Sequence, residues 1–169
     1  MAEQTQEIDQ GIKEESSREG KYLTFTLGQE EYGVEIIRVR EIIGLISITE
    51  IPKMPDYVKG IINLRGKVSP VIDLRLKFSM PSEEYSDRTC IILVETEKNN
   101  TTILMGMIVD SVSEVMQLGA EDIENPPDVG GIDTDNIMGV AKKGDRVILL
   151  LDIDRVMNSD ELAGLHQAA

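Results

Sequence analysis

From Tyr22 to Leu27 apolar and polar residues alternate, Tyr-Leu-Thr-Phe-Thr-Leu, which predicts a strand with one face on a core. Gly28-Gln29-Glu30 reads as a turn and Tyr32 to Ile36 as a returning strand, so the pair is an amphipathic hairpin. From Arg38 the apolar spacing changes to Val39, Ile42 and Ile43, which is the spacing of a helical turn. Two more apolar runs, Ile61-Ile62 and Val68 to Leu74, flank Asn63-Leu64-Arg65-Gly66. They predict a second hairpin whose tip displays Asn63 and Arg65. Cys90 to Val94 is a further strand, with Cys90 buried in it. Residues 1–20 are polar and acidic, with too little apolar surface to offset the entropy of ordering them, and are expected to be a mobile tail. Near the other end a short helix is expected around Ser159, which can cap it, with Asp160 and Glu161 at its positive end.

Laid over itself, the chain repeats. Gly33, Val39 and Glu41 match Gly106, Val112 and Glu114, all at one constant offset. Gly60, Val68, Val71, Ile72, Asp73 and Leu74 match Gly139, Val147, Leu150, Leu151, Asp152 and Ile153 at a second, slightly larger offset. The difference is absorbed by a loop containing Pro126, Pro127, Gly130 and Gly131. Two collinear blocks imply a duplicated unit of roughly 60 residues, and short strands with turn signals imply that each copy is a small closed or nearly closed β-barrel. The expected fold is all-β, mainly strands with short helices. It divides into a tail (1–20), a first unit (21–87), a second unit (88–157) and a C-terminal helix or tail (158–169), with strand exchange between the units left open.

Composition narrows the function. Seventeen Lys and Arg against 31 Asp and Glu give a net charge of −14, which repels nucleic acid and anionic lipid surfaces. The longest apolar run, Val147 to Leu151, is about five residues, far short of the roughly twenty that cross a bilayer as a helix. The first residues lack the basic and apolar regions of a signal peptide, and Cys90 is the only cysteine. A cytoplasmic protein without membrane insertion is expected.

The chain offers little for catalysis. Its one histidine, His166, lies near the end, and no nucleophile system can be built around it. One Cys and one His make no structural zinc site. The loop from Asp133 begins like a calcium loop but has Ile137 and Met138 where an oxygen ligand and the glycine belong. The Gly60 to Lys67 stretch has one residue too many for a phosphate-binding loop, and Val68 stands where Ser or Thr would hold the metal. No cofactor is expected, and a binding module is favoured over an enzyme using a pair of carboxylates.

The run Gly60-Ile-Ile-Asn-Leu-Arg-Gly-Lys-Val-Ser-Pro-Val-Ile-Asp-Leu-Arg75 resembles the signature hairpin of the bacterial chemotaxis coupling proteins, the CheW family. Leu23-Thr-Phe-Thr-Leu-Gly28, Tyr32-Gly-Val-Glu-Ile36 with Val39 and Glu41, and Gly106-Met-Ile-Val-Asp-Ser-Val-Ser-Glu-Val115 add to the likeness, which covers residues 21–157. The kinase's own regulatory domain shares part of this signature, so a free-standing domain of that kind, or a fragment of a fused coupling protein, is the alternative. The resemblance implies two SH3-like five-stranded barrels, no catalysis, and a monomer that joins a larger array. Its implied role is to couple the cytoplasmic tips of transmembrane chemoreceptors to the regulatory domain of the histidine kinase CheA, with recruitment to membrane-associated arrays.

By the same resemblance Ile36, Val39, Ile42, Val112 and Met116 are assigned to the receptor-binding cleft, with burial in a core as the alternative for each. Glu41, Gly60, Asn63 and Arg65 are assigned to the kinase-coupling surface. The planar fork of Arg65 suits a carboxylate, and Glu41 is its expected partner. Asn63 is expected to cap the turn, and Gly60 to permit either a special backbone conformation or a close approach.

Overall fold

Among the described residues, 18–127 and 136–157, the computed structural model has eleven strands in two sheets and two short helices. The strands are β1 (Gly20–Leu27), β2 (Glu30–Glu35), β3 (Val39–Gly44), β4 (Val58–Leu64), β5 (Lys67–Asp73), β6 (Cys90–Lys98), β7 (Thr101–Val109), β8 (Ser111–Leu118), β9 (Ile123–Glu124), β10 (Ile137–Lys143) and β11 (Arg146–Leu151). Helix α1 is Leu74–Lys77 and helix α2 is Ile153–Met157, with 3₁₀ turns at Ile36–Arg38 and Ala120–Asp122. Residues 1–17 of the expected tail, the helix near Ser159, His166 and residues 128–135 of the two loops lie outside the described residues, while the last tail residues are ordered: Gly20 opens β1 and Arg18 Nη1 donates to Asn125 Oδ1 at 2.8 Å.

The first sheet has the order β8-β1-β2-β11-β10-β9 and the second β3-β6-β7-β5-β4. The mainly β fold is as expected, although the ladders form open sheets of six and five strands in place of closed five-stranded barrels. Each sheet mixes the repeats: β1 and β2 lie with β8 to β11, while β6 and β7 lie with β3 to β5. The joints are two parallel pairs, β2 with β11 and β5 with β7. In them Gly33 lies opposite Leu150 and Gly106 opposite Val71, and these are repeat-equivalent positions. A Cβ on Gly33 would meet Leu150 at 2.9 Å across its joint, and one on Gly106 would meet Val71 at 3.1 Å across the other and Ile91 of β6 at 2.9 Å, so a residue without a side chain lets both joints pack closely.

Three apolar clusters follow from this arrangement. One fills the space between the sheets with Leu23, Phe25, Leu27 and Val34 of the first and Ile72, Ile92, Val94, Met105, Met107 and Val109 of the second. Tyr22, Met116, Leu118, Ile123, Ala141, Ile148 and Leu150 fill the first sheet's own interior, and Ile62, Val71, Ile91, Leu93 and Ile108 the second's. β6 contributes alternate residues to two of these clusters, which is why Ile91 to Val94 reads as an unbroken apolar run. Asp73 and Asp152, at equivalent positions of the two repeats, each accept the backbone N–H three positions on and so start α1 and α2.

The structure corrects two local expectations. The helical turn lies at Ile36–Arg38, and Val39 to Gly44 is a strand. A bulge shifts the register so that Val39 pairs with Val94 but Ile42 with Ile92, which keeps residues three apart on one face and imitates helical spacing. Cys90 is half-buried at the start of its strand, where Sγ donates to the Arg88 carbonyl, and is not fully enclosed.

Candidate partner-docking surfaces

The β4–β5 hairpin turns through Arg65 and Gly66, at φ of +52° and +85°, the left-handed pair that a two-residue hairpin of matching twist requires. Asn63 Oδ1 accepts the Gly66 N–H at 2.9 Å, so Asn63 does cap this turn. Arg65 thereby projects from the tip with its side chain 70% exposed, and its Nη2 donates to Glu41 Oε2 at 2.5 Å. β3 and β4 are the two edges of the second sheet, so this pair ties the hairpin tip to the opposite edge. The hydrogen bond from Arg65 holds the Glu41 carboxyl below the usual carboxylate range.

Gly60 is buried, with φ +141°. A Cβ there would lie 1.9 Å from the Thr49 carbonyl oxygen, because residues 49 and 61 form a bridge. The close approach is therefore made by the chain's own backbone.

The equivalent of Glu41, Glu114, is also held by an arginine from the matching hairpin. Arg146 Nη1 donates to Glu114 at 2.7 Å, while its Nε and Nη2 grip Glu31 at 3.1 and 2.6 Å. Exposed aliphatic side chains repeat as well. Ile42 (41% exposed) and Val68 (56%) in the second sheet match Val115 (52%) and Val147 (53%) in the first, at the same two repeat offsets.

Of the residues assigned to the cleft, Ile36, Val39 and Val112 are half-buried and pack on the cluster between the sheets. Ile42 lies further along the same face of β3 and is exposed. Met116 is only 9% exposed, inside the first sheet. It is the equivalent of Ile43, and in β8 it pairs with Tyr22, whereas Val115 pairs with Leu23 and is exposed. The outward position on that strand thus belongs to Val115, a correction that follows from applying the repeat offset to Ile42.

Among the described residues, clefts open between the sheets. One, about 360 Å³, is lined by Glu35, Ile37, Arg38, Glu95, Glu97 and Thr102, and another, about 450 Å³, includes Thr26, Arg88, Cys90, Ser111, Val112 and Ser113. In the first, Ile37 is 79% exposed at the 3₁₀ turn. The sequence alone points to Ile36 and passes over Ile37. The available signal is a pair of adjacent isoleucines, of which one strand face can bury only one.

Among the described residues there is no cluster of three or more His, Cys, Asp or Glu side chains that would hold a metal, and no helix is long and apolar enough to cross a membrane. Residues 21–161 match the family model described as CheW-like domain. The chain is 38% identical to a chemotaxis protein CheW of Klebsiella aerogenes, covering 85% of this chain and 84% of that one. It is 31% identical to one of Helicobacter pylori, over 95% of both. The crystal structure of the scaffolding protein TtCheW from Thermoanaerobacter tengcongensis superposes with a TM-score of 0.75 at 38% identity, covering 85% of this chain and 95% of that one. With a family model matched over most of its length and curated and solved relatives at 38% identity, the chain belongs to the CheW family of non-catalytic chemotaxis adaptors.

Proposed function

We propose that this adaptor couples the cytoplasmic tips of transmembrane chemoreceptors to the regulatory domain of the histidine kinase CheA, as a monomer that enters membrane-associated arrays from the cytoplasm. The observation that carries the reading is the doubled surface: Ile42 and Val68 beside Glu41–Arg65, and Val115 and Val147 beside Glu114–Arg146. Exposed aliphatic residues rimmed by charge are what docking faces look like, and a repeat that keeps them on both units supplies two. A protein with two similar faces can link partners in a row.

In this reading Arg65, Glu41 and Asn63 form the kinase-coupling surface, and Gly60 acts indirectly by seating the hairpin against Thr49. The receptor contact is assigned to the region between the sheets, on the side where Ile36 and Val39 pack on the core, Ile37 stands exposed and Ile42 extends the β3 face, with Val112 at the second cleft. Burying Ile37 and Ile42 is worth about 1.5–3 kcal/mol each at most, against an association cost of about 4–15 kcal/mol, so a single receptor contact is weak and array tethering supplies the rest.

Titration of a receptor tip into the purified protein tests the assignment. Ile37→Asp is expected to lose at least about tenfold in receptor affinity, with kinase affinity unchanged. Equal loss of both, or of neither, removes Ile37 from the receptor contact.

A further inference from the structure

The chain crosses from the first sheet to the second between β2 and β3, and back again between β7 and β8. An ion pair sits at each crossing. In α1, Arg75, 8% exposed, donates from Nε to Asp110 Oδ1 at 2.7 Å and from Nη2 to Oδ2 at 2.5 Å. Asp110 lies at the return crossing and also accepts the Gly28 N–H at 2.7 Å, while Glu83 stands 3.4 Å from Arg75. In α2, Asp154 accepts Arg38 Nη1 at 3.0 Å and Nη2 at 2.8 Å, and Arg38 lies at the first crossing. Asp154 is the repeat-equivalent of Arg75, and Arg38 is the equivalent of Ser111, the neighbour of Asp110. The same two-pronged clamp therefore occurs twice with its charges reversed. Each clamp joins the helix of one repeat to the crossing of the other.

We propose that this reversal selects the exchanged connectivity over the one in which each repeat closes on itself. In the self-closed arrangement the β1–β2 hairpin would return to β5, setting Gly33 against Val71 in place of its equivalent Leu150. Each helix would dock at its own crossing. The apolar contacts do not discriminate, since Val71 matches Leu150 and Val39 matches Val112. The charges do. Arg75 would meet Arg38 and Asp154 would meet Asp110, two like-charge encounters at partly buried positions, where the native arrangement has two attractions. Arg38, Asp154, Arg75 and Asp110 are in this sense positioning residues, which decide which hairpin each helix accepts.

The test equalises the polarity of the clamps. Arg38→Asp combined with Asp154→Arg keeps an opposite-charge pair at both native clamps but makes the self-closed pairs attractive too. Spin labels at positions 30 and 147 are close across β2 and β11, whereas labels at 30 and 68 become close only in the self-closed arrangement, with Cys90→Ser in every chain. After refolding from denaturant, the parent protein is expected to give only the short 30–147 distance. The swapped pair is expected to add a short 30–68 population, at least about tenfold above the parent's. Adding Arg75→Asp with Asp110→Arg makes the self-closed encounters repulsive again, and the second population is expected to vanish. A swapped pair that refolds as uniformly as the parent overturns the proposal. So does failure of both swapped chains to fold, because native attraction is retained in each, and so does persistence of two populations in the fourfold variant.

Discussion

Arg75 and Asp154 hold the same position in the two repeats and carry opposite charges that each find an opposite partner across the sheet boundary. The two pairs differ in burial. Arg75 has a side chain 9% exposed and Asp110 31%, against 29% for Arg38 and 36% for Asp154. Arg75→Ala is expected to cost about 2–3 kcal/mol, since it strands a partly buried carboxylate, and Arg38→Ala about 1 kcal/mol. Denaturant midpoints at constant slope measure both, and equal losses would contradict the burial argument.

Burial by itself raises the Asp110 carboxyl, but hydrogen bonds from Arg75 and the Gly28 N–H outweigh it and hold the group below its ordinary value. The stability this supplies is present above about pH 4 and is lost as pH falls through the lowered value. Glu35 runs the other way. Burial raises its carboxyl, Arg38 only partly offsets this, and Asp152 and Asp154 add to the rise. Its ionisation therefore opposes folding as pH climbs past about 4. Melting curves from pH 3 to 7 should show a shallower acid loss in Arg75→Ala, and in Glu35→Gln a gain over the parent that grows toward neutrality.

Gly60 and Gly66 both sit at positive φ, yet only Gly60 is crowded. Gly60→Ala is expected to lose about 3–5 kcal/mol by driving Thr49 off the bridge, whereas Gly66→Ala, with open space around it, should lose about 1 kcal/mol from conformation alone. Thermal unfolding of the two variants separates steric approach from turn preference.

Thr96 in β6 is fully buried, and its hydroxyl has no hydrogen-bond partner among the described residues. Thr96→Val keeps the shape and removes the unsatisfied group, so a gain of about 1 kcal/mol, or a rise of about 2–4 °C in Tm, is expected. A fall in Tm would mean that the hydroxyl has a partner in solution.

The parts legible in the sequence are those set by local chemistry or by repetition. The Asn63 to Gly66 turn follows from its residue types, the Glu41–Arg65 pair from a carboxylate facing a planar cation, and the duplicated unit from two constant offsets. The exchange of hairpins is not legible, because Val71 and Leu150 are both apolar residues at equivalent repeat positions and the charges proposed to distinguish them lie far apart in sequence. The bulge after Val39 is hidden for another reason: it makes a strand place residues three apart on one face, as a helix does. Met116 stands in for Val115 in the sequence because an apolar residue one place along looks alike until its face is known.

Reconstitution of purified kinase, receptor tip and this protein tests the central claim most directly. The parent chain is expected to bring kinase and receptor into one sedimenting complex. Arg65→Ala, which removes only a solvent-exposed ion pair, is expected to stay folded yet form markedly less of that complex. Kinase and receptor that never join through this protein, or a folded Arg65→Ala chain that joins them as fully as the parent, would contradict it.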